Sequence, residues 1–277
     1  MTSDPHSSHA AEDKKSDIDN LYAALRTVDL APWLMSGAML GCILHQDTLP
    51  GDRDIDFGLM ATDRDAFDRA IPELRRRGFD IRERFDPVTL RRKNMVTLRR
   101  RSLPIDVKFF DANEGYVFRE IHKSFDRKAA LVWELADFLH FGRFGTYSQV
   151  RRRSVLLARV LTAARAVTPG PLHRALGRML CRKWRTMNTA YGVEIHRAEQ
   201  FVDTEKAVYA GAEVLIPRNW REYVLEEYGD GWRDPDPAGK GGWNKKSHLV
   251  FPKSRTQLKL IDAETLERFR AARLVEA

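Results

Sequence analysis

Ile18, Leu21, Tyr22 and Leu25 recur three and four residues apart, the spacing that lines one face of a helix. Pro32 breaks that pattern. Trp33-Leu34-Met35 is a short apolar run ending on Ser36-Gly37, which predicts a strand entering a tight turn. Residues 38–46 predict a helix leaving the turn, and Leu49-Pro50-Gly51-Asp52 a loop. From Asp54 to Met60 polar and apolar residues alternate as in a half-buried strand. Residues 63–77, rich in Asp and Arg, predict a surface helix stopped by Gly78, and strands are predicted over 79–85, 95–100, 105–110 and 116–121.

Beyond about residue 125 the pattern changes. Residues 150–167 and 172–187 predict helices separated by Thr168-Pro169-Gly170-Pro171. A mixed segment follows, then a short helix over 220–228, a loop containing Asp234-Pro235-Asp236-Pro237 and Gly239-Lys240-Gly241-Gly242, and a closing helix over 263–273. The expectation is an α+β chain: a mixed sheet with flanking helices, then a mainly helical C-terminal half. Its organisation is expected to be a disordered tail at 1–16, a catalytic core at 17–125 and a helical, basic substrate-binding half at 126–277.

Composition narrows the class. Hydrophobic residues make up 43% of the chain, enough for a sizeable core. No apolar run reaches the length of a membrane span, and the polar start reads as neither a signal nor a transit peptide. Cys42 and Cys181 lie too far apart for a metal-ligand spacing, so a reducing, cytoplasmic setting is expected. Charge is uneven. Residues 138–193 hold 11 Lys and Arg and no Asp or Glu, against +8 for the whole chain, so the remainder is slightly acidic. Such a segment attracts anions: phosphate-rich substrates, anionic lipid headgroups or nucleic acid.

The candidate chemistry sits in Ser36-Gly37 and Asp52-Arg53-Asp54-Ile55-Asp56. On a strand Asp54 and Asp56 project to one face and Ile55, Phe57 and Leu59 to the other. Two carboxylates one pleat apart suit a hard divalent cation such as Mg²⁺ or Mn²⁺, which takes oxygen ligands. The Ser36-Gly37 turn before a helix offers close backbone approach and free N–H groups to a phosphate. In Ile105-Asp106-Val107-Lys108-Phe109 the acid faces away from three apolar residues, so Asp106 is expected as the third carboxylate, as metal ligand or as base, with Asp111 the fallback. A D-x-D pair alone commonly lines a solvated loop; its setting between a strand–turn–helix and another acid-bearing strand favours catalysis. His45 reads as a helix-end residue. His248 reads equally as a phosphate contact or part of a solvated basic loop. The six Trp residues read mostly as packing anchors. There is no P-loop, Rossmann glycine fingerprint or zinc-protease helix.

Ser36-Gly37-Ala38-Met39-Leu40-Gly41 followed by Pro50-Gly51-Asp52-Arg53-Asp54-Ile55-Asp56-Phe57-Gly58 resembles the LicD/fukutin-related family. Ile105-Asp106-Val107 resembles its third acid, and Tyr228-Gly229, Trp232-Arg233 and Pro235 resemble its distal element. The resemblance implies a nucleotidyltransferase-like fold and a phosphotransferase that moves a phospho-alcohol group from a CDP-activated donor to a glycan hydroxyl. It places metal roles on Asp54, Asp56 and Asp106, with Asp52 supporting and Ser36, Gly37 and Gly41 beside the donor. The chain departs from the family pattern at Leu44, Gly51 and Arg53, which bears on the donor more than on the metal.

Two rival readings stand beside this one. A nucleotidyltransferase proper would use the same carboxylates to pass a nucleoside monophosphate to a small acceptor and release pyrophosphate. A non-catalytic module would use the Arg-rich helices on nucleic acid or membrane, but an intact set of mutually repelling carboxylates argues against it. The expected partners are therefore a nucleotide-activated, CDP-linked donor and a glycan or lipid-linked saccharide acceptor, with peripheral contact to an anionic membrane as an open role for the basic helices and no nucleic acid.

Overall fold

The computed structural model describes residues 5–85, 92–113, 115–124, 127–141, 154–187, 189–229, 231–233 and 249–250. Helix α1 (Pro5–Leu25) leads through a single turn into β1 (Trp33–Leu34), α2 (Ser36–His45), β2 (Ile55–Met60), α3 (Arg64–Arg76), β3 (Asp80–Phe85), β4 (Arg92–Arg99), β5 (Ile105–Asn113) and β6 (Tyr116–Ser124). Helices α4 (Arg127–Phe141), α5 (Val155–Val167) and α6 (Gly170–Arg185) follow, then β7 (Thr189–Arg197), β8 (Thr204–Tyr209), β9 (Ala212–Pro217), α7 (Trp220–Tyr228) and β10 (Leu249–Val250).

The strands form one mixed sheet in the order β10-β7-β6-β5-β2-β1-β9-β8, with β4 also on β5 and β3 on β4. β5 is the hinge of this arrangement. Its first half lies between β2, which runs parallel to it, and β4, which runs antiparallel. Its last residues turn to pair with β6 instead. The mixed sheet with flanking helices is as expected. The second half supplies more strand than its pattern suggested: β7 extends the sheet beyond β6, and β9 lies parallel against β1. The helix expected at 263–273, the Asp-Pro and Gly-rich loop, and His248 lie outside the described residues.

Alternation decides which face is core. Ile55, Phe57 and Leu59 of β2 and Ile105, Val107 and Phe109 of β5 are buried together. Helices α1 and α3 cover that face, with Phe67 edge-on to Phe109 and Tyr22 edge-on to Phe57. Tyr22 also spends its hydroxyl inside: it donates to the carbonyl of Pro32 at 2.7 Å and accepts from the N–H of Leu215 at 3.0 Å. Gly58 has no room for a side chain, because a Cβ there would lie 2.4 Å from Trp33 Nε1 and 2.6 Å from Met35 Sδ. Its absence lets Trp33 lie across β2.

The expected 1–16 tail differs in the structure, where residues 5–16 are the first turns of α1. Pro5 suits a helix start, and Ala10, Ala11, Glu12, Lys14 and Lys15 are good helix formers. Tertiary contacts hold the segment, with Lys14 ion-paired to Asp47. Asp17 is fully buried, and its carboxylate accepts from Arg100 Nη1 at 2.8 Å, the N–H groups of Arg101 and Ser102 at 3.0 and 2.7 Å, and Ser102 Oγ at 2.7 Å. One buried acid thereby ties α1 to the β4–β5 turn. Removing it takes an acceptor from the partly buried Arg100, which keeps the Arg77 carbonyl and Ser16 Oγ, and from the N–H groups of Arg101 and Ser102, so Asp17→Ala should destabilise the fold by about 2–3 kcal/mol. Urea unfolding of variant and wild type measures this; a change within about 0.5 kcal/mol would deny Asp17 its anchoring role.

Candidate functional site

The face of the sheet opposite the α1 and α3 packing carries the polar residues. Asp56 of β2 and Asp106 of β5 are direct partners across the parallel pair. Thr97 of β4 is the partner of Asp106 on its other side, and its hydroxyl donates to Asp106 Oδ1 at 2.6 Å. Asp54 stands just before β2 begins. One carboxylate oxygen from each of Asp54, Asp56 and Asp106 lies within 4.8 Å of the others, the single such group of potential metal ligands among the described residues. Asp111, further along β5 where that strand has turned to β6, is not in it.

Like charges side by side on neighbouring strands repel, and the site carries one compensation that the sequence reading missed. Lys108 lies two residues beyond Asp106, hence on the same face, and its ammonium reaches Asp56 Oδ2 at 2.7 Å. It also donates to Ser36 Oγ at 3.4 Å. The cue was present in Asp106-Val107-Lys108, because any residue at i+2 from a site residue on a strand shares its face.

One lysine does not balance three carboxylates. Asp54 is pushed up to about 6, by burial first and then by the charges of Asp56 and Asp106, with Lys108 pulling the other way. An all-oxygen, carboxylate-rich donor set of this kind fits a hard divalent cation. Asp54, Asp56 and Asp106 are the residues that would hold it.

The approach to this cluster is built by the β1–α2 turn. Met35 donates its N–H to the carbonyl of Asp56 at 3.0 Å, which locks the end of β1 to the acidic row. Ser36, the first residue of α2, then takes a left-handed conformation, φ 49°. That conformation costs a non-glycine residue roughly 1–2 kcal/mol. A contact from the far end of the chain supports it: the Ser36 N–H donates to the hydroxyl of Tyr223 at 3.0 Å. Tyr223 is fully buried on α7, where the charge of Glu227 bears on both it and Tyr228. Burial, with Glu227 next, raises the Tyr223 hydroxyl well above its ordinary value, so it stays a neutral donor and acceptor. His196 packs its ring 5.0 Å from that of Tyr223. Beside it, burial acts to raise Glu194, but the charges of Arg119 and Lys108 and the contacts with His196 outweigh it and hold Glu194 well below the usual carboxylate range. None of Tyr223, Glu227, Glu194 or His196 was singled out in the sequence.

The glycines and Asp52 take more specific places than expected. A Cβ on Gly37 would meet Asp52 Oδ2 at 2.7 Å, so the bare glycine lets the Asp52 carboxylate lie against the first turn of α2. An anion at a helix N-terminus is stabilised there. Gly41 is needed for packing: a Cβ would stand 2.3 Å from the carbonyl oxygen of Asp47. The distal Tyr228, Gly229 and Trp232 are buried, and both Asp56 and Asp52 bear electrostatically on Tyr228. His45 is exposed at the end of α2.

Residues 29–140 match the family model described as LicD/FKTN/FKRP, nucleotidyltransferase domain. Over those residues the chain is similar to a LicD/FKTN/FKRP domain. They hold Ser36, all three clustered carboxylates, Thr97 and Lys108. A second likeness is short: 50 residues are 36% identical to an uncharacterized protein of Rickettsia typhi, covering 18% of this chain and 16% of that protein. No helix among the described residues is long and apolar enough to cross a membrane.

The raised Asp54 has a consequence for stability. Its folded value, about 6, exceeds the roughly 3.9 of an unfolded aspartate, so the folded chain binds this proton more tightly. The resulting stabilisation is complete below about pH 4 and is lost as the pH rises through about 6. At pH 7 the ionised Asp54 therefore works against folding until a cation is bound. With EDTA present, Asp54→Asn should be more stable than wild type at pH 7 by about 1–2 kcal/mol, allowing for partial solvent screening. The difference should close near pH 4. Adding Mn²⁺ should raise the melting temperature of wild type and leave the variant behind. A variant no more stable than wild type at pH 7 in EDTA contradicts the repulsion described here.

Proposed function

We propose that this chain transfers a phospho-substituent, phosphocholine- or polyol-phosphate-like, from a CDP-type activated donor to a saccharide hydroxyl, using Mg²⁺ or Mn²⁺ held by Asp54, Asp56 and Asp106. The observation that carries this reading is the convergence of those three carboxylates beside Lys108 and Ser36 within a LicD/FKTN/FKRP domain. Three negative charges against one lysine leave a site that is under-compensated alone and suited to a divalent cation together with substrate phosphates. A bound cation there supplies charge neutralisation to the donor phosphates and polarises the bond to be broken.

The chain's own groups do the remaining work in this reading. Asp106, oriented by Thr97, accepts the proton of the attacking hydroxyl. Lys108 holds Asp56 in place and adds positive charge next to the donor phosphates. Ser36 presents its hydroxyl at the same spot, and Tyr223 keeps that turn in its strained shape. The nucleophile is the acceptor's hydroxyl; the leaving group is a nucleoside monophosphate. A reducing, cytoplasmic setting belongs to this reading, supported by Cys42 and Cys181, both buried and neither in a disulfide.

A second reading has one observation in its favour: the matching family model is described as a nucleotidyltransferase domain. In that case the same residues pass a nucleoside monophosphate to the acceptor and the leaving group is pyrophosphate. Product analysis separates the two. Incubation with CDP-linked donors and saccharide acceptors should release CMP and no pyrophosphate; pyrophosphate formed from CTP would transfer the assignment to the second reading.

Residue roles are separable by kinetics. Asp56→Asn should abolish turnover to within detection, and Asp106→Asn should lower kcat by about 10²-fold or more while leaving donor affinity within a few-fold. Lys108→Met should lower kcat by about 10- to 100-fold. Full activity of Asp56→Asn would refute the metal assignment, and normal turnover of Asp106→Asn would move the base elsewhere.

A further inference from the structure

Helix α5 buries little of itself. Ala158 is its one buried residue, and Leu161 and Arg165, three and seven positions on, are half-buried on the same side. Arg165 Nε donates to the carbonyl of Leu139 on α4 at 3.3 Å. Leu156, Val160, Ala163 and Val167 follow the i, i+4, i+7, i+11 spacing of a second face, about half a turn away from the first. That face is open: Leu156 is 72%, Val160 54% and Val167 85% exposed. The next helix repeats the theme, with Leu172 and Met179 exposed seven residues apart. A helix in a folded domain is expected to show water its polar side, and α5 shows it an apolar stripe.

The charge carried by the two helices is of one sign. Arg159 on α5 and Arg174, Arg178, Arg182 and Lys183 on α6 are exposed, and no Asp or Glu occurs between residues 138 and 193. A symmetric contact between two copies of this patch would set like charges against each other. A soluble anionic acceptor would use the arginines and leave the stripe wet. A bilayer with anionic headgroups answers both features, because the headgroups meet the basic residues and the acyl boundary beneath them takes the leucine and valine side chains.

We propose that α5 and the exposed side of α6 dock this protein onto an anionic membrane surface, with Leu156, Val160 and Val167 entering the interface and Arg159, Arg174 and Arg178 meeting the headgroups. The proposal stands apart from the transfer chemistry and does not depend on it.

The test uses the full chain and vesicles of phosphatidylcholine, alone or mixed with phosphatidylglycerol, in a sedimentation assay. Wild type should pellet with the mixed vesicles, weakly or not at all with phosphatidylcholine, and less as salt is added. Replacing Leu156, Val160 and Val167 together by Ser should lower partitioning at least ~tenfold with the melting temperature unchanged, since all three side chains already face solvent. Changing Arg159, Arg174 and Arg178 to Gln should lower it about fivefold per arginine at low salt. Failure of wild type to bind the mixed vesicles overturns the proposal. So does a serine variant that binds as tightly as wild type. Light scattering showing a wild-type dimer that the serine variant converts to monomer, without vesicle binding, would assign the stripe to a protein interface instead.

Discussion

The pairing of Asp56 with Asp106 across two parallel strands is the constraint around which the site is arranged. A parallel register sets neighbouring strands about 4.8 Å apart, with opposed residues on the same face. Two carboxylates so placed repel, and the chain limits the cost with groups from the same sheet. Lys108 takes a proton-donating position on Asp56, and Thr97 donates to Asp106. A slip of one residue in the β2–β5 register would turn Asp56 into the core and Phe57 out of it. The apolar set Ile55, Phe57, Leu59, Ile105, Val107 and Phe109 therefore fixes the geometry of the polar set on the reverse side. Core packing and site geometry are here one choice.

The second constraint reaches the site from far along the chain. Ser36 holds a left-handed backbone at the mouth of the site, and its N–H is bound by a tyrosine 187 residues later in the sequence. That tyrosine packs against the ring of His196, itself beside the Arg119–Glu194 pair of the β6–β7 strands. The far half of the chain is thus structural support for the near half, which explains why β9 and α7 lie against the β1–α2 turn.

Much of this was legible in the sequence, for physical reasons that also mark where legibility ended. Alternation at residues 54–57 and 105–109 identified both strands and assigned Asp56 and Asp106 to the face opposite Ile55, Phe57, Ile105, Val107 and Phe109. Gly37 was read as room for a ligand, whereas the room is taken by Asp52, a contact between loop and turn that spacing alone does not encode. Gly41 was likewise read as part of a donor site, and its missing side chain instead admits the backbone of Asp47. Tyr223 and Glu194 were invisible because nothing local distinguishes them from ordinary amphipathic positions; only the fold brings them in. The strands at 189–217 were blurred by short length and mixed polarity, and the first turns of α1 by a composition that resembles a solvated tail until Lys14 and Asp17 find their partners.

The position of Asp52 bears on how a phosphate would be received. A helix N-terminus with free N–H groups is a ready anion site, and α2 opens beside the carboxylates. Yet the Ser36 N–H is spent on Tyr223, and a carboxylate already lies against Gly37. The positive end of the α2 dipole thus faces a resident anion, which lessens its pull on a second one. A positive charge at that spot is the Lys108 ammonium, held between Asp56 and the hydroxyl of Ser36. In a site with three acids, a phosphate-bearing donor gains little from the helix and much from whatever neutralises the carboxylates. On the function proposed above, attraction for the donor would therefore depend on filling the carboxylate cluster with positive charge first, which would make the order cation and then donor the electrostatically favoured one.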